Sequence, residues 1–260
     1  MKSLVQISSL LIGLVFFLSA CEEVIDLPLK DAEPKLVIEG SVSNLRTRQS
    51  VMLSEMQPFD SEIRRKVVSG AEVFLNENNG TWRQLSEAGA GNYVLDNLKG
   101  IPGNTYELLV NYQGQTYQAQ STMPDVVRID STGISINTFD GSRRTPLALY
   151  QDPGGVPNYY YFQLRINEEI NTSLFLYNDK FNDGKYVLQN LDDFTLDLAR
   201  GDSVVIELRN IDRDSFRFWE AVQSQNGTSA SPGNPVSNIT NGALGYFSAY
   251  AANSVYFIVD

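Results

Sequence analysis

Two pairs of adjacent carboxylates are the side chains that most directly suggest catalytic chemistry, Glu168-Glu169 and Asp192-Asp193. Glycoside hydrolysis uses two carboxyl groups and needs no histidine, so this reaction class stays open for the chain. Neighbouring residues on a strand point to opposite faces, however, so neither pair converges on a substrate by itself. We therefore expect both pairs to be solvated charges of turns.

The composition excludes most other catalytic machinery. The 260 residues include no histidine and one cysteine, which rules out Ser-His-Asp and Cys-His catalysis, His-ligated zinc or haem, thiolate clusters and an internal disulfide. The formal net charge of -11 argues against nucleic acid, which binds basic surfaces. We expect no enzyme activity, no catalytic residues, no cofactor and no nucleic-acid partner.

The turn-rich segment 179–184 invites comparison with a calcium-binding loop. An EF-hand loop places an oxygen ligand at its third position and a bidentate Glu at its twelfth. If Gly184 is aligned with the glycine of that loop, Phe181 takes the third position and Asn190 the twelfth. The segment is therefore predicted to be a hairpin turn, and we expect no metal site.

Three consecutive tyrosines place aromatic rings on both faces of one predicted strand. Tyr160 shares its face with Phe162 and Leu164, and that face is expected to enter the core. Tyr159 and Tyr161 lie on the other face, where they could stack on a sugar or insert into a partner. The alternative, which we favour, is a strand buried on both faces.

The first residues have the pattern of a secretory signal peptide. Lys2 supplies one positive charge, residues 4–18 are almost wholly apolar, and the small residues Ser19 and Ala20 follow. The apolar run is shorter than the roughly 20 residues that span a bilayer. A signal peptide is predicted at residues 1–20.

The lone cysteine comes directly after this segment. Leu18-Ser19-Ala20-Cys21 resembles a bacterial lipobox, in which the signal is cleaved before the cysteine and the thiol is acylated. We predict lipidation at Cys21, the alternative being an ordinary secretory peptide with a chance cysteine. Residues 21–34 are predicted to form an acidic tether. Glu22-Glu23 resembles the export tag that sends some lipoproteins to the cell surface, and could equally be part of a solvated tether.

The remainder of the chain predicts strands separated by turns. About seven short strands between residues 35 and 124, with turns every 8–12 residues, are typical of a β-sandwich. A boundary is predicted at Met123-Pro124-Asp125, followed by a second β-rich domain over residues 125–260 whose strands include 194–198, 246–250 and 254–259. The fold class is therefore all-β, with two antiparallel β-sandwich-like domains.

One helix is predicted in the second domain, at about residues 214–225. Phe216, Phe218 and Trp219 form an apolar stripe at helical spacing. Asp212 or Asp214 can cap its N-terminus.

Five segments carry a further signal: 21–27, 36–40, 68–73, 91–93 and the most specific one, 238–250. Together they resemble one family of lipoproteins, called domain of unknown function 4249. The resemblance covers nearly the whole chain after residue 20. It implies a Bacteroidota-type outer-membrane lipoprotein, often encoded beside TonB-dependent receptors, and brings no established catalytic residues. The first half also resembles immunoglobulin-like or transthyretin-like sandwich modules.

The anchor and the resemblance together predict a function. We expect a lipid-anchored, non-catalytic accessory or binding protein of the outer membrane that works with a TonB-dependent transporter in nutrient uptake. The alternative is a surface glycan-binding protein or a carboxylate-based glycosidase that uses exposed tyrosines and carboxylates. A purely structural envelope protein is a third possibility.

Overall fold

The computed structural model describes residues 34–57, 65–137, 142–225 and 234–260. The predicted signal peptide, Cys21 and the acidic tether as far as residue 33 lie outside the described residues. Residues 34–260 group into one compact unit. Within the described ranges, no helix has both the length and the apolar character needed to cross a membrane.

The described chain consists mainly of strands, and several of the longer ones bury alternate residues. In the first strand, for example, Leu36, Ile38 and Val42 are buried, whereas Val37 and Glu39 are only partly buried. This period of two is what a strand shows when one face packs on a core. The strands are β1 (Lys35–Ser43), β2 (Gln49–Met56), β3 (Arg65–Val67), β4 (Glu72–Glu77), β5 (Arg83–Gln84), β6 (Ser86–Gly89), β7 (Asn92–Leu95), β8 (Thr105–Tyr112), β9 (Gln115–Thr122), β10 (Ile129–Asn137), β11 (Arg143–Gln151), β12 (Tyr159–Ile166), β13 (Glu169–Ile170), β14 (Phe175–Asn178), β15 (Tyr186–Asn190), β16 (Ser203–Ile211) and β17 (Leu244–Ile258).

The strands form one large sheet and two small ones. The large sheet has ten strands in the order β13-β12-β16-β17-β1-β2-β7-β6, with β14 paired to β12 and β3 to β2. The small sheets are β5-β4-β8-β9 and β10-β11-β15. Among the described strands, β1 and β17 form the one parallel pair, and the other pairs are antiparallel.

Each small sheet covers its own half of the large sheet. The first core joins Ile38 and Phe247 of the large sheet to Tyr106 and Leu108 of the four-stranded sheet. The second core joins Phe162 and the other inward residues of β12 and β16 to residues of β10, β11 and β15. The all-β class with sandwich-like packing of sheets is therefore confirmed.

The long strand β17 belongs to both cores, so the two sandwiches do not occupy two separate stretches of chain. Its first half pairs with β1 and contributes Phe247, Ala249 and Ala251 to the first core. Its second half pairs with β16 and packs Val255 and Phe257 against the second core. The predicted first domain, residues 35–124, is thus completed by residues from the end of the chain.

Asn44, the residue directly after β1, continues the contact between β1 and β17. The side-chain amide of Asn44 donates to the carbonyl of Ala252 at 3.2 Å, and its oxygen accepts from the amide of Ala252 at 2.6 Å. A side chain thus takes over the role of a backbone partner where β1 ends.

A single helix within the described residues, α1 (Arg213–Gln225), lies against the opposite face of the large sheet. Its start is fixed by Asp212, whose Oδ1 accepts from the amide of Ser215 at 2.8 Å. This is the N-cap geometry that the sequence predicts. Phe216 and Trp219 then pack on the sheet.

Three local predictions were wrong. Residues 194–198 are irregular and not a strand, because side-chain hydrogen bonds hold that segment in a turn. The predicted strands 246–250 and 254–259 are one continuous strand. The segment 179–184 is a turn but not a hairpin, since β14 and β15, which it joins, belong to different sheets.

The start of β17 depends on a glycine that approaches the backbone of β1. Gly245 has φ of +94°, and a Cβ atom there would lie 2.0 Å from the carbonyl oxygen of Ile38. Nearby Gly242 also has a positive φ, +74°, but a Cβ atom there would meet nothing within 4 Å.

We predict that Gly245→Ala lowers the free energy of unfolding by at least about 2 kcal/mol more than Gly242→Ala does, because only the former adds a backbone clash to the unfavourable φ. Urea unfolding of the two purified variants measures the difference. Equal losses would show that β17 does not approach β1 as described.

Candidate functional site

The face of β12 that carries Tyr159 and Tyr161 is covered by helix α1. The ring of Tyr161 is 7% exposed and lies 5.4 Å from the ring of Trp219. The half-buried ring of Tyr159 lies 5.1 Å from that of Phe216. The structure thus gives both rings a packing contact, which is the arrangement that we favour from the sequence.

A partly buried cation completes this aromatic cluster. The guanidinium of Arg209 lies 5.3 Å from the ring centre of Tyr161 and 4.9 Å from that of Tyr250, and its Nε is 2.6 Å from a carboxylate oxygen of Glu207. Burial disfavours the charged form of Arg209, but the phenol of Tyr250 and the carboxylate outweigh burial and raise its pKa. Arg209 therefore packs as a paired charge against the rings of Tyr161 and Tyr250. An incoming sugar would have to displace the helix to reach Tyr161.

The two carboxylate pairs lie apart in the chain and have different surroundings. Glu168 is exposed in the turn between β12 and β13, and Glu169 is exposed as the first residue of β13. Asp192 instead receives two hydrogen bonds from the guanidinium of the buried Arg143, at 2.5 and 3.0 Å. The hydrogen bond from Arg143 lowers the pKa of Asp192.

The neighbouring carboxylate of Asp193 organises the loop after β15. It accepts hydrogen bonds from the hydroxyl of Ser173 at 2.6 Å, the amide of Thr195 at 2.9 Å and the amide of Leu196 at 2.6 Å. Burial opposes the charged form, but these hydrogen bonds outweigh it and lower the pKa of Asp193 to about 2. A glycosidase needs one carboxylic acid with a raised pKa, and neither residue of this pair has one.

The low pKa of Asp193 predicts a loss of stability in acid. A depressed pKa means that the charge stabilises the fold above the unfolded-state value of about 4, and that this contribution disappears as the pH falls towards 2. The difference in melting temperature between the unsubstituted chain and Asp193→Asn should therefore be largest above pH ~4 and shrink in acid. Thermal melts from pH 6 to 2 measure it, with Glu168→Gln as the control for losing one charge. A difference that stays constant with pH would contradict the prediction.

Three other carboxylates converge in a way that the sequence does not reveal. Oxygen atoms of Asp152, Asp179 and Asp183 all lie within 4.8 Å of one another. Asp152 is 1% exposed and Asp179 is 8% exposed, whereas Asp183 is exposed. Carboxylate oxygens at this spacing are the ligand type that calcium and magnesium take.

Each of these carboxylates already accepts hydrogen bonds from the chain. Asp152 accepts from the hydroxyl of Tyr160 at 2.5 Å and from the amide of Gly184 at 2.9 Å. Asp179 accepts from the amide of Asn158 at 2.8 Å, and Asp183 from that of Gly155 at 2.7 Å. The cluster thus connects the loop after β11 to the turn 179–184. Burial, followed by the adjacent Asp152 carboxylate, raises the pKa of Tyr160, which keeps this phenol a donor.

Comparison with known proteins identifies the chain at the level of a family. A family model described as a domain of unknown function (DUF4249) matches residues 22–255. This match confirms the resemblance seen in the sequence. No curated protein matches the chain.

Proposed function

The chain belongs to the DUF4249 family, and from this premise we propose that it is a lipid-anchored accessory or binding protein of the outer membrane. In this proposal it is non-catalytic and works with a TonB-dependent transporter in nutrient uptake. The observation that carries the proposal is Cys21, the one cysteine of the chain, placed directly after an apolar segment and Leu18-Ser19-Ala20.

The anchor is supported by the energetics of acyl chains. Each buried CH₂ group contributes about 0.8 kcal/mol to membrane binding, so one chain binds reversibly and two or more bind stably. A cysteine that is acylated after cleavage of the signal would carry such chains. The tether at residues 21–34 would then connect the anchor to the compact unit that begins at Pro34.

The body supports a role in binding more than in catalysis. Of the two carboxylate pairs that could have served a hydrolase, one is exposed in the β12–β13 hairpin and the other has lowered pKa values. A body that is tethered next to a transporter gains effective concentration there without any catalytic group. This contribution is the physical role that we assign to the protein.

The alternative function, glycan binding or hydrolysis through Tyr159 and Tyr161, has less support. These rings pack against Phe216 and Trp219 of α1. Any glycan site would have to lie on another surface of the molecule.

The anchor predicts that Cys21→Ala moves the protein from the membrane fraction to the soluble fraction. Fractionation of cells that express either chain measures the distribution, with Glu22→Ala as the control that keeps the thiol. A Cys21→Ala protein that stays membrane-bound would refute the lipid anchor.

The partnership predicts that the anchored protein co-purifies with a TonB-dependent transporter in mild detergent. Affinity purification from outer membranes, followed by mass spectrometry, tests this prediction. The Cys21→Ala chain is the control because it lacks the lipid anchor that raises local concentration at the membrane. Repeated absence of any such transporter would count against the partnership while leaving the anchor untouched.

A further inference from the structure

A groove of about 390 Å³ lies beside the four-stranded sheet, away from the tyrosine cluster. Its walls come from β8, β9, the turn before β5, the start of α1 and the segment before β17. The volume falls in the range of roughly 300–1,000 Å³ that small-ligand sites occupy. The lining residues are Trp82, Glu107, Leu108, Gln118, Ala119, Gln120, Asp214, Asn238 and Thr240.

Three polar side chains on the outer face of the sheet line the groove. Gln118 and Gln120 alternate along β9 and are exposed, and the half-buried Glu107 lies directly across from Gln120 on β8. Among the residues that the structure describes, none of the three side chains has a hydrogen-bond partner. They therefore offer two amide donors, two amide acceptors and a carboxylate to a molecule in the groove.

The aromatic ring of Trp82 lines the same groove as these three polar side chains. Trp82 precedes β5 and is 42% exposed, so part of its ring is accessible to a molecule in the groove. Its indole N–H makes no hydrogen bond within the described ranges. The ring therefore offers both an apolar face and a free donor to the groove.

The opposite wall is held firmly in place. The hydroxyl of Thr240 accepts from the amide of Gln118 at 2.9 Å, and the amide of Thr240 donates to the carbonyl of Gln118 at 2.8 Å. The side chain of Asn238 exchanges two hydrogen bonds with the backbone of Phe247, at 2.7 and 3.0 Å. The wall is thus fixed before any ligand arrives, which lowers the entropy cost of binding.

This wall also decides which kind of ligand fits. The outer edge of β9 is already bridged by Ile239, which pairs with Ala119, so an extended peptide cannot add there as a further strand. A sugar ring presents an apolar C–H face that matches an indole, and a rim of hydroxyls that both donate and accept hydrogen bonds. The carboxylates of Glu107 and Asp214, together with the net charge of -11, disfavour an anionic ligand.

We propose that this groove binds a neutral saccharide, with Trp82 stacking on one sugar ring and Glu107, Gln118 and Gln120 bonding to its hydroxyls. The site does not depend on the lipid anchor or on the transporter, so it can succeed or fail separately from the proposed function. Combined with the proposed anchor, it would make the protein a receptor that holds a sugar at the outer membrane.

The two tryptophans of the chain allow a direct assay. Trp219→Phe keeps an aromatic ring on the face of α1 that packs on the sheet, and it leaves Trp82 as the single tryptophan. We expect the emission of Trp82 to change when neutral gluco-, manno-, galacto- or xylo-oligosaccharides of four to six units are added to the full chain in detergent. Calorimetry on the unsubstituted chain gives the same affinity independently of this variant.

Calorimetry with the sugar of the panel that binds most tightly then tests the contribution of each groove residue to the affinity. We expect Trp82→Ala to weaken binding by about tenfold or more, and Gln118→Ala and Gln120→Ala by roughly threefold to tenfold each. Phe181→Ala is the matched control, since Phe181 is also an exposed aromatic, at 77%, and lies outside the groove. It should leave the affinity unchanged.

Three results would overturn the proposal. The first is that no oligosaccharide of the panel binds at concentrations up to about 10 mM, because a dissociation constant above that value would be weaker than that of most specific recognition. The second is that Trp82→Ala binds as well as the unsubstituted chain. The third is that a uronic-acid oligosaccharide binds as tightly as the neutral sugars, because the groove carboxylates should repel it.

Discussion

The parallel pairing of β17 with β1 is the interaction on which the rest of the structure depends. It brings the end of the chain into the middle of the large sheet, where one strand of 15 residues serves two cores in succession. Parallel pairing over such a sequence separation carries a large loop-closure entropy, so it persists only if the contacts on both sides of β17 are good. Gly245 allows the close approach, and Asn44 extends the pairing beyond the end of β1.

Because of this arrangement, the two faces of the large sheet have different packing partners. One face holds both cores, since odd-numbered residues of β17 enter the first core as far as Ala251 and pack on the second from Val255 onwards. The other face carries α1 and the cluster around Arg209. The proposed saccharide groove lies where the four-stranded sheet, α1 and the segment before β17 come together. Its walls are therefore positioned by the same strand that joins the cores.

Local patterns predict much of this fold, and long-range contacts explain the rest. Strand β1 can be recognised in the sequence, because its alternating apolar residues and its polar end are local signals. Strand β17 is divided in the prediction, since Ala251-Ala252-Asn253 has little β propensity and only pairing with β16 keeps it extended. The loop at 194–198 has alternating apolar residues, but hydrogen bonds to Asp193 determine its shape. The Asp152 cluster and the Trp82 groove join residues distant in sequence, which periodicity cannot reveal.

Native-state amide hydrogen exchange along β17 tests most directly whether one strand unites the two sandwiches. If it does, the amides of residues 244–250 and 251–258 will exchange through the same global opening, with equal free energies and the same dependence on urea. Two distinct openings, in which one half of β17 exchanges while the other stays protected, would contradict this account and show two sandwiches that unfold separately.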